Sequence, residues 1–372
     1  RKRTGDLVAV KVLDKRNRDV SSARTERTIL ACADCPYVVK LFFSFATADH
    51  LYMVMEYLPG GDCYTLLQKF GFLEQPVAVW IMAETLLGLE YLHDVMVVHR
   101  DLKPQNMLIS AEGHIKLADF GLSAEGTGQE DAKQGSPSTD APMHRSAVGT
   151  TDYLAPEILL QEGYSFLVDF WAMGVCVYQF LLGEPPFSAD TPKEVYQKIL
   201  QCEMEIPGEE DISVEAKELI EDLLVVDPAS RLGANGVSEI KSRAFFNDID
   251  WGANLWQMPS ICTPNLESPL DTSNFNMNAL VRVHAERMRT TLEGEGDELS
   301  AESDEDREGN LSNDSFRTVN ATQLARMQLS EQGDLSAACS TNACSTNSAA
   351  ISASDSSGSN GGSQSQHAAD EI

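Results

Sequence analysis

The sequence has 372 residues, with 28 Lys and Arg against 57 Asp and Glu, a formal net charge of −29. That balance excludes nucleic acid as a main partner, since a phosphate backbone is held by clustered cations. Apolar residues make up 42% of the chain, enough for a large core, yet no run is long enough to span a membrane.

Residues 7–13 are a short β-branched run that reads as a strand. Residues 21–31 read as a helix, with Ser21 or Ser22 as its cap. Two apolar runs, 38–45 and 51–57, read as strands on either side of a polar turn. From Gln75 to His93 apolar residues recur at helical spacing, and further helices are expected at 167–183, 191–202 and 213–226. Strands first and helices after is the order of an α+β fold, with a small sheet-rich lobe joined to a larger helical one.

The composition shifts twice. Residues 124–145, rich in Gly, Ser, Gln, Asp and Pro, read as a long mobile insertion. Residues 293–308 set nine acids against Arg307 alone, a pattern that stays disordered. Residues 338–347 repeat Ala-Cys-Ser-Thr-Asn twice, in a Ser- and Asn-rich end that can build no core.

Eight cysteines supply one C-x-x-C, Cys32 and Cys35, with no second pair or nearby histidine to complete a zinc site. Such usage fits a reducing compartment, and the expected location is the cytoplasm or nucleus. The chain begins at Arg1 without a signal-peptide pattern, and is expected to be a piece of a longer polypeptide.

The chemistry concentrates in a few short motifs. Phosphoryl transfer needs nucleotide charge neutralised, metal ions held and a hydroxyl aimed at the γ-phosphate. Val8-Ala9-Val10-Lys11 offers a strand lysine for the α- and β-phosphates, and Glu26 in the following helix is placed to hold it. His99-Arg100-Asp101-Leu102-Lys103-Pro104-Gln105-Asn106 supplies Asp101 as catalytic base. Asn106 and Asp119, the latter opening Asp119-Phe120-Gly121, are oxygen ligands suited to Mg²⁺. Ala155-Pro156-Glu157 closes the segment that follows. A lone Val-Ala-Val-Lys is an ordinary strand, and Asp-Phe-Gly alone is a turn; four such motifs in order are not coincidence.

With these motifs over roughly residues 1–276, the chain resembles AGC-group serine/threonine protein kinases. Within that group it is similar to the microtubule-associated serine/threonine, Greatwall, Rim15 and plant IRE-type branch. Matching stretches include Leu51–Tyr57, Gly113–Leu117, Ser146–Thr150, Arg231–Gly233 and Asp271–Ser273, and the long insertion before Ser146 is a mark of that branch. The resemblance implies a bilobal kinase fold using ATP and Mg²⁺ on Ser/Thr hydroxyls of protein substrates. It divides the chain into a partial N-lobe (1–57), a C-lobe (58–250), a C-terminal extension with the acidic linker (251–330) and a low-complexity tail (331–372). A monomer is expected.

Further roles are implied by the resemblance alone. Lys103 would contact the γ-phosphate, with Thr150 nearby. Met55 would be the gatekeeper, Glu56 and Leu58 would give backbone hydrogen bonds to adenine, and Asp62 would lie near the ribose. Ala9 and Leu108 would sandwich the adenine ring. Leu30, Leu41, His99 and Phe120 would stack as a spine, Asp169 would anchor the catalytic loop, and Glu157 would pair with Arg231. Ser146 would be a phosphosite for an upstream kinase, ordering its loop through Arg100.

The chain departs from the family in two respects. No glycine-rich loop precedes Lys11, so these residues alone are expected to have little activity, and a version extended upstream to be active. Positions that carry acids in arginine-directed relatives are Asp62, Gln105 and Gln179 here, two of them amides, and weaker dependence on substrate arginine is expected.

Overall fold

The computed structural model describes residues 7–16, 20–125, 151–206, 208, 211–268, 271, 274 and 318–319. Strands β1 (Val8–Asp14), β2 (Leu41–Ala46) and β3 (His50–Glu56) form an antiparallel sheet in the order β1-β3-β2. Side chains alternate across it, as the two-residue period of a strand requires. Leu13, Leu51 and Met53 are buried, whereas Val10 is 48% exposed. The register sets Lys11 opposite Met53 and Ala9 opposite Met55, so the candidate lysine and gatekeeper sit near each other on adjacent strands.

Helix α1 (Val20–Cys32) packs beside this sheet and turns Glu26 and Leu30 inward, both buried. It starts earlier than the sequence pattern predicts, so Ser21 and Ser22 lie within its first turn and do not cap it. The Ser22 hydroxyl instead donates to the Gly121 carbonyl. The second strand also starts later than predicted. Val38 forms an isolated bridge with Leu117, and Val39 N donates to Leu117 O at 3.0 Å, which fastens this segment to the helical lobe. The β2–β3 register shifts between Leu41 and Phe43, a bulge that hides the start of the strand from a period-two reading.

The helical lobe opens with α2 (Cys63–Phe70), an element the sequence pattern misses. Its start is set by Asp62, whose carboxylate accepts from Thr65 N at 2.8 Å and Thr65 Oγ1 at 3.0 Å. Its end is set by Gly71 at φ 83°. Helix α3 (Gln75–Asp94) carries Pro in its first turn and is buried on nearly every side, so its apolar residues crowd more than one face. After it come four very short strands: β4 (Val97–Val98), β5 (Met107–Ile109), β6 (Ile115–Leu117) and β7 (Ala124–Glu125). They pair as β4 with β7 and β5 with β6.

Helices α4 (Pro156–Leu159), α5 (Leu167–Leu182), α6 (Pro192–Gln201), α7 (Val214–Leu223) and α8 (Val237–Lys241) complete the lobe. Gly174 lets α5 and α7 meet closely, since a Cβ there would lie 2.9 Å from Leu223 Cβ. The chain then runs back toward the joint between the lobes. Tyr57 OH donates to Asp271 O at 2.7 Å, and Asn274 Nδ2 to Pro59 O at 3.2 Å. A last strand, β8 (Thr318–Val319), pairs with β2 at Phe43 and Ser44.

Among the described residues no helix is long and apolar enough to cross a membrane. The first two residues of the insertion predicted over 124–145 form β7, because they pair with β4; the rest of it, Ser146, Thr150, the acidic run and the repeats lie outside the described residues.

Candidate active site

A cavity of about 300 Å³ opens between the sheet and the helical lobe. Ala9, Val39, Met55, Leu108 and Ala118 make its apolar walls, and Lys11, Glu26, Asn106 and Asp119 converge on it. Apolar walls with a few converging polar groups are the usual form of a small-molecule site.

The polar end is a charged triangle. Lys11 Nζ lies 2.6 Å from Glu26 Oε1 and 2.8 Å from Asp119 Oδ1. Burial would lower the affinity of Lys11 for its proton, but the two carboxylates overrule it and hold the ammonium above the ordinary lysine range. Burial would likewise raise Asp119, yet the Lys11 charge holds its carboxyl below the usual range. Two consecutive elements, β1 and α1, and the turn after β6, 108 residues beyond Lys11, thus deliver their charges to one point.

Beside it stands the catalytic loop. Lys103 Nζ donates to both Asp101 oxygens, at 2.9 and 2.8 Å. Asn106 Nδ2 donates to Asp101 O at 2.7 Å and Asp101 Oδ2 at 3.0 Å. The amide nitrogen of Asn106 is thereby turned to Asp101, leaving its oxygen as the ligand-type atom. The loop is held from beneath by Asp169, which is fully buried. Its carboxylate accepts from His99 N at 2.9 Å, Arg100 N at 2.8 Å and the His93 ring at 2.8 Å. Burial opposes the charge on Asp169, but these donors hold its carboxyl below the ordinary range. Arg100 and Asp119 sit at φ 62° and 61°, a left-handed backbone that non-glycine residues adopt only under constraint.

Leu30, Leu41, His99 and Phe120 are each at most 1% exposed, with the His99 and Phe120 rings 5.1 Å apart. Glu157 and Arg231 form a buried two-pronged ion pair at 2.8 and 3.0 Å.

The other candidates are placed as follows. Glu56 lines the cavity, whereas Leu58, Asp62, Asp101 and Lys103 lie off its wall. Both oxygens of Asp62 are engaged in capping α2. Gln179 accepts the Tyr153 hydroxyl at 2.5 Å. Gln105 lines the cavity, and its buried Oε1 has no hydrogen-bond partner among the described residues.

Sequence reading missed the Lys116–Glu56 pair at 2.9 Å and the His114–Glu84 contact at 2.6 Å. Glu84 carried a usable signal, an acid among apolar residues of a helix buried on all sides, where a charge needs a partner. Lys116 carried none.

ATP and Mg²⁺, implied by the resemblance, fit this donor set. Among the described residues no cluster of three or more His, Cys, Asp or Glu forms a metal cage. Mg²⁺ needs none, because it takes one or two carboxylates and fills its octahedron with phosphate oxygens and water. Asp119 and Asn106 beside a fixed lysine match that pattern.

Comparison with known proteins agrees with this arrangement. Residues 1–246 match the family model described as protein kinase domain. The chain is 45% identical over 301 residues to the probable serine/threonine protein kinase IRE4 of Arabidopsis thaliana, covering 74% of this chain and 28% of that protein. It is 38% identical over 315 residues to human LATS1, a serine/threonine-protein kinase, covering 73% and 28%. It is 37% identical over 322 residues to the probable serine/threonine-protein kinase ndrB of Dictyostelium discoideum, covering 74% and 58%. The chain thus spans about a quarter of the length of IRE4 and LATS1. With its charged triangle, its anchored catalytic loop and this match over most of the two lobes, the chain belongs to the protein kinase family.

Proposed function

We propose that this chain is the catalytic part of an ATP- and Mg²⁺-dependent protein serine/threonine kinase. The observation that carries the reading is the Lys11–Glu26–Asp119 triangle beside the Asp101–Lys103–Asn106 loop. ATP would supply the γ-phosphoryl group, and Mg²⁺ would neutralise its developing charge. Lys11, fixed by Glu26, places a permanent cation at the phosphate end of the cavity. Asp101 accepts the hydrogen bond of the substrate hydroxyl and orients it, while Lys103 sets a second cation beside that carboxylate. Asp119 and the Asn106 oxygen would hold the metal, and Met55, Leu108 and Ala9 would enclose an adenine ring.

The motifs that resemble the Greatwall and IRE-type branch support membership there, and Ser146 is its phosphosite for an upstream kinase. The amides at Gln105 and Gln179 favour substrates with weak arginine dependence, since the Gln179 carbonyl is already held by Tyr153. The protein acts as a monomer in the cytoplasm or nucleus.

The test is phosphate transfer by the full-length protein to a serine/threonine peptide array, with Asp101→Asn as control. Transfer that falls at least about 100-fold in the variant is expected. Nucleotide binding without transfer would make the chain a binding scaffold, and preference dominated by arginine at −2 and −3 would refute the substrate reading.

A further inference from the structure

Lys116, in β6, is 2% exposed. An ammonium withdrawn that far from water needs compensation from its surroundings. Two groups provide it. Glu56 Oε1 lies 2.9 Å from Lys116 Nζ, and the ring of Trp256 covers the ammonium with its centroid 4.8 Å away. The indole face carries negative charge density, and its attraction for a cation grows as water is excluded.

Trp256 belongs to the segment that follows the helical lobe, yet it is seated firmly. It stacks on His114 at 4.5 Å between centroids and meets Tyr37 edge-on at 5.7 Å. His114 is in turn fixed by Glu84 at 2.6 Å. Glu56 Oε1 also accepts Lys40 N at 2.7 Å, and Glu56 lines the cavity. One unbroken line of contacts therefore runs from Trp256 through Lys116 to the cavity wall.

We infer that Trp256 is a positioning residue for the nucleotide. Its ring keeps water from Lys116, the dry Lys116–Glu56 pair stays tight, and the end of β3 keeps the shape the nucleotide meets. Without the ring, water enters, the effective dielectric around the pair rises and its attraction weakens. This rests on reading the cavity as a nucleotide site.

The experiment titrates the full-length protein with ATP and Mg²⁺, and measures peptide phosphorylation and thermal melting in parallel. Trp256→Leu keeps an apolar cover but removes the aromatic face, and Trp256→Phe keeps the face. Trp256→Leu is expected to weaken nucleotide binding about fivefold to tenfold, with kcat at saturating ATP within about twofold and Trp256→Phe close to wild type. Lys116→Met should weaken binding similarly, and the double variant no more than either single one, because the two act through one contact. Leu and Phe variants that bind equally well, or a lowered melting temperature with unchanged affinity, would overturn the inference. Failure of the unsubstituted protein to bind ATP would instead overturn the nucleotide reading itself.

Discussion

Replacing Asp169 by Asn keeps the shape of the side chain and removes its charge, which isolates what that charge does. In the native loop Oδ2 accepts from His99 N at 2.9 Å and the His93 ring at 2.8 Å, and Oδ1 accepts from Arg100 N at 2.8 Å. An asparagine can place its one oxygen at the Oδ2 position and keep two of these bonds in neutral form. Its NH₂ then faces the Arg100 N–H, donor against donor, at a residue whose backbone sits at φ 62°. One charge-assisted bond is lost, about 1.5–3 kcal/mol, and two are weakened. The expected loss of stability is about 3 kcal/mol, read from urea unfolding. At about 2–4 °C per kcal/mol, that lowers the melting temperature by about 6–12 °C. Phosphate transfer should fall as well, because the backbone carrying Asp101 loses its anchor. A loss under about 1 kcal/mol would show that the loop keeps its conformation without the buried charge.

Glu26→Gln removes one of the two carboxylate charges beside Lys11, and phosphate transfer is expected to fall about 10- to 100-fold, read as kcat/KM for ATP. Arg231→Lys removes the fork that serves both Glu157 oxygens and the Val225 and Leu167 carbonyls; it should cost about 3 kcal/mol in chemical denaturation, and near-wild-type stability would contradict the buried-pair account. Asp119 is depressed below its unfolded value and Lys11 raised above its own. The Asp119 contribution is present above the unfolded carboxylate pKa of about 3.9 and lost as pH falls through the lower folded value. The Lys11 contribution is present below the unfolded lysine pKa of about 10.4 and lost as pH rises through the higher folded value. Calorimetry of wild type against Asp119→Asn should therefore show a constant difference from about pH 5 to 9 that shrinks on acidification.

How much of this was legible beforehand depended on the range of the forces involved. The catalytic loop stood out because phosphoryl transfer demands particular residue types at fixed spacing. Helix α3 was legible because apolar residues recur at helical spacing along nearly all of its 20 residues. Helix α2, at eight residues, was too short for periodicity to emerge, and Asp62 was read for a ligand role while its capping role went unnoticed. Strands β4 to β7 are two or three residues long, shorter than any pattern can define. Their pairing is decided by tertiary contact rather than by local propensity. The Lys116–Glu56–Trp256 contacts join residues that no local rule connects.

The way the last part of the chain returns to the joint between the lobes bears on the order in which the protein is made. Tyr57 waits for Asp271, a partner 214 residues further along the chain, and Lys116 waits for Trp256. During synthesis from the N-terminus, both lobes can collapse before either partner has left the ribosome. In that interval Lys116 has Glu56 but not yet the Trp256 ring to offset its burial. Both contacts can form only once residues 256 to 271 have been made, so they are added to lobes whose own sequence is already complete.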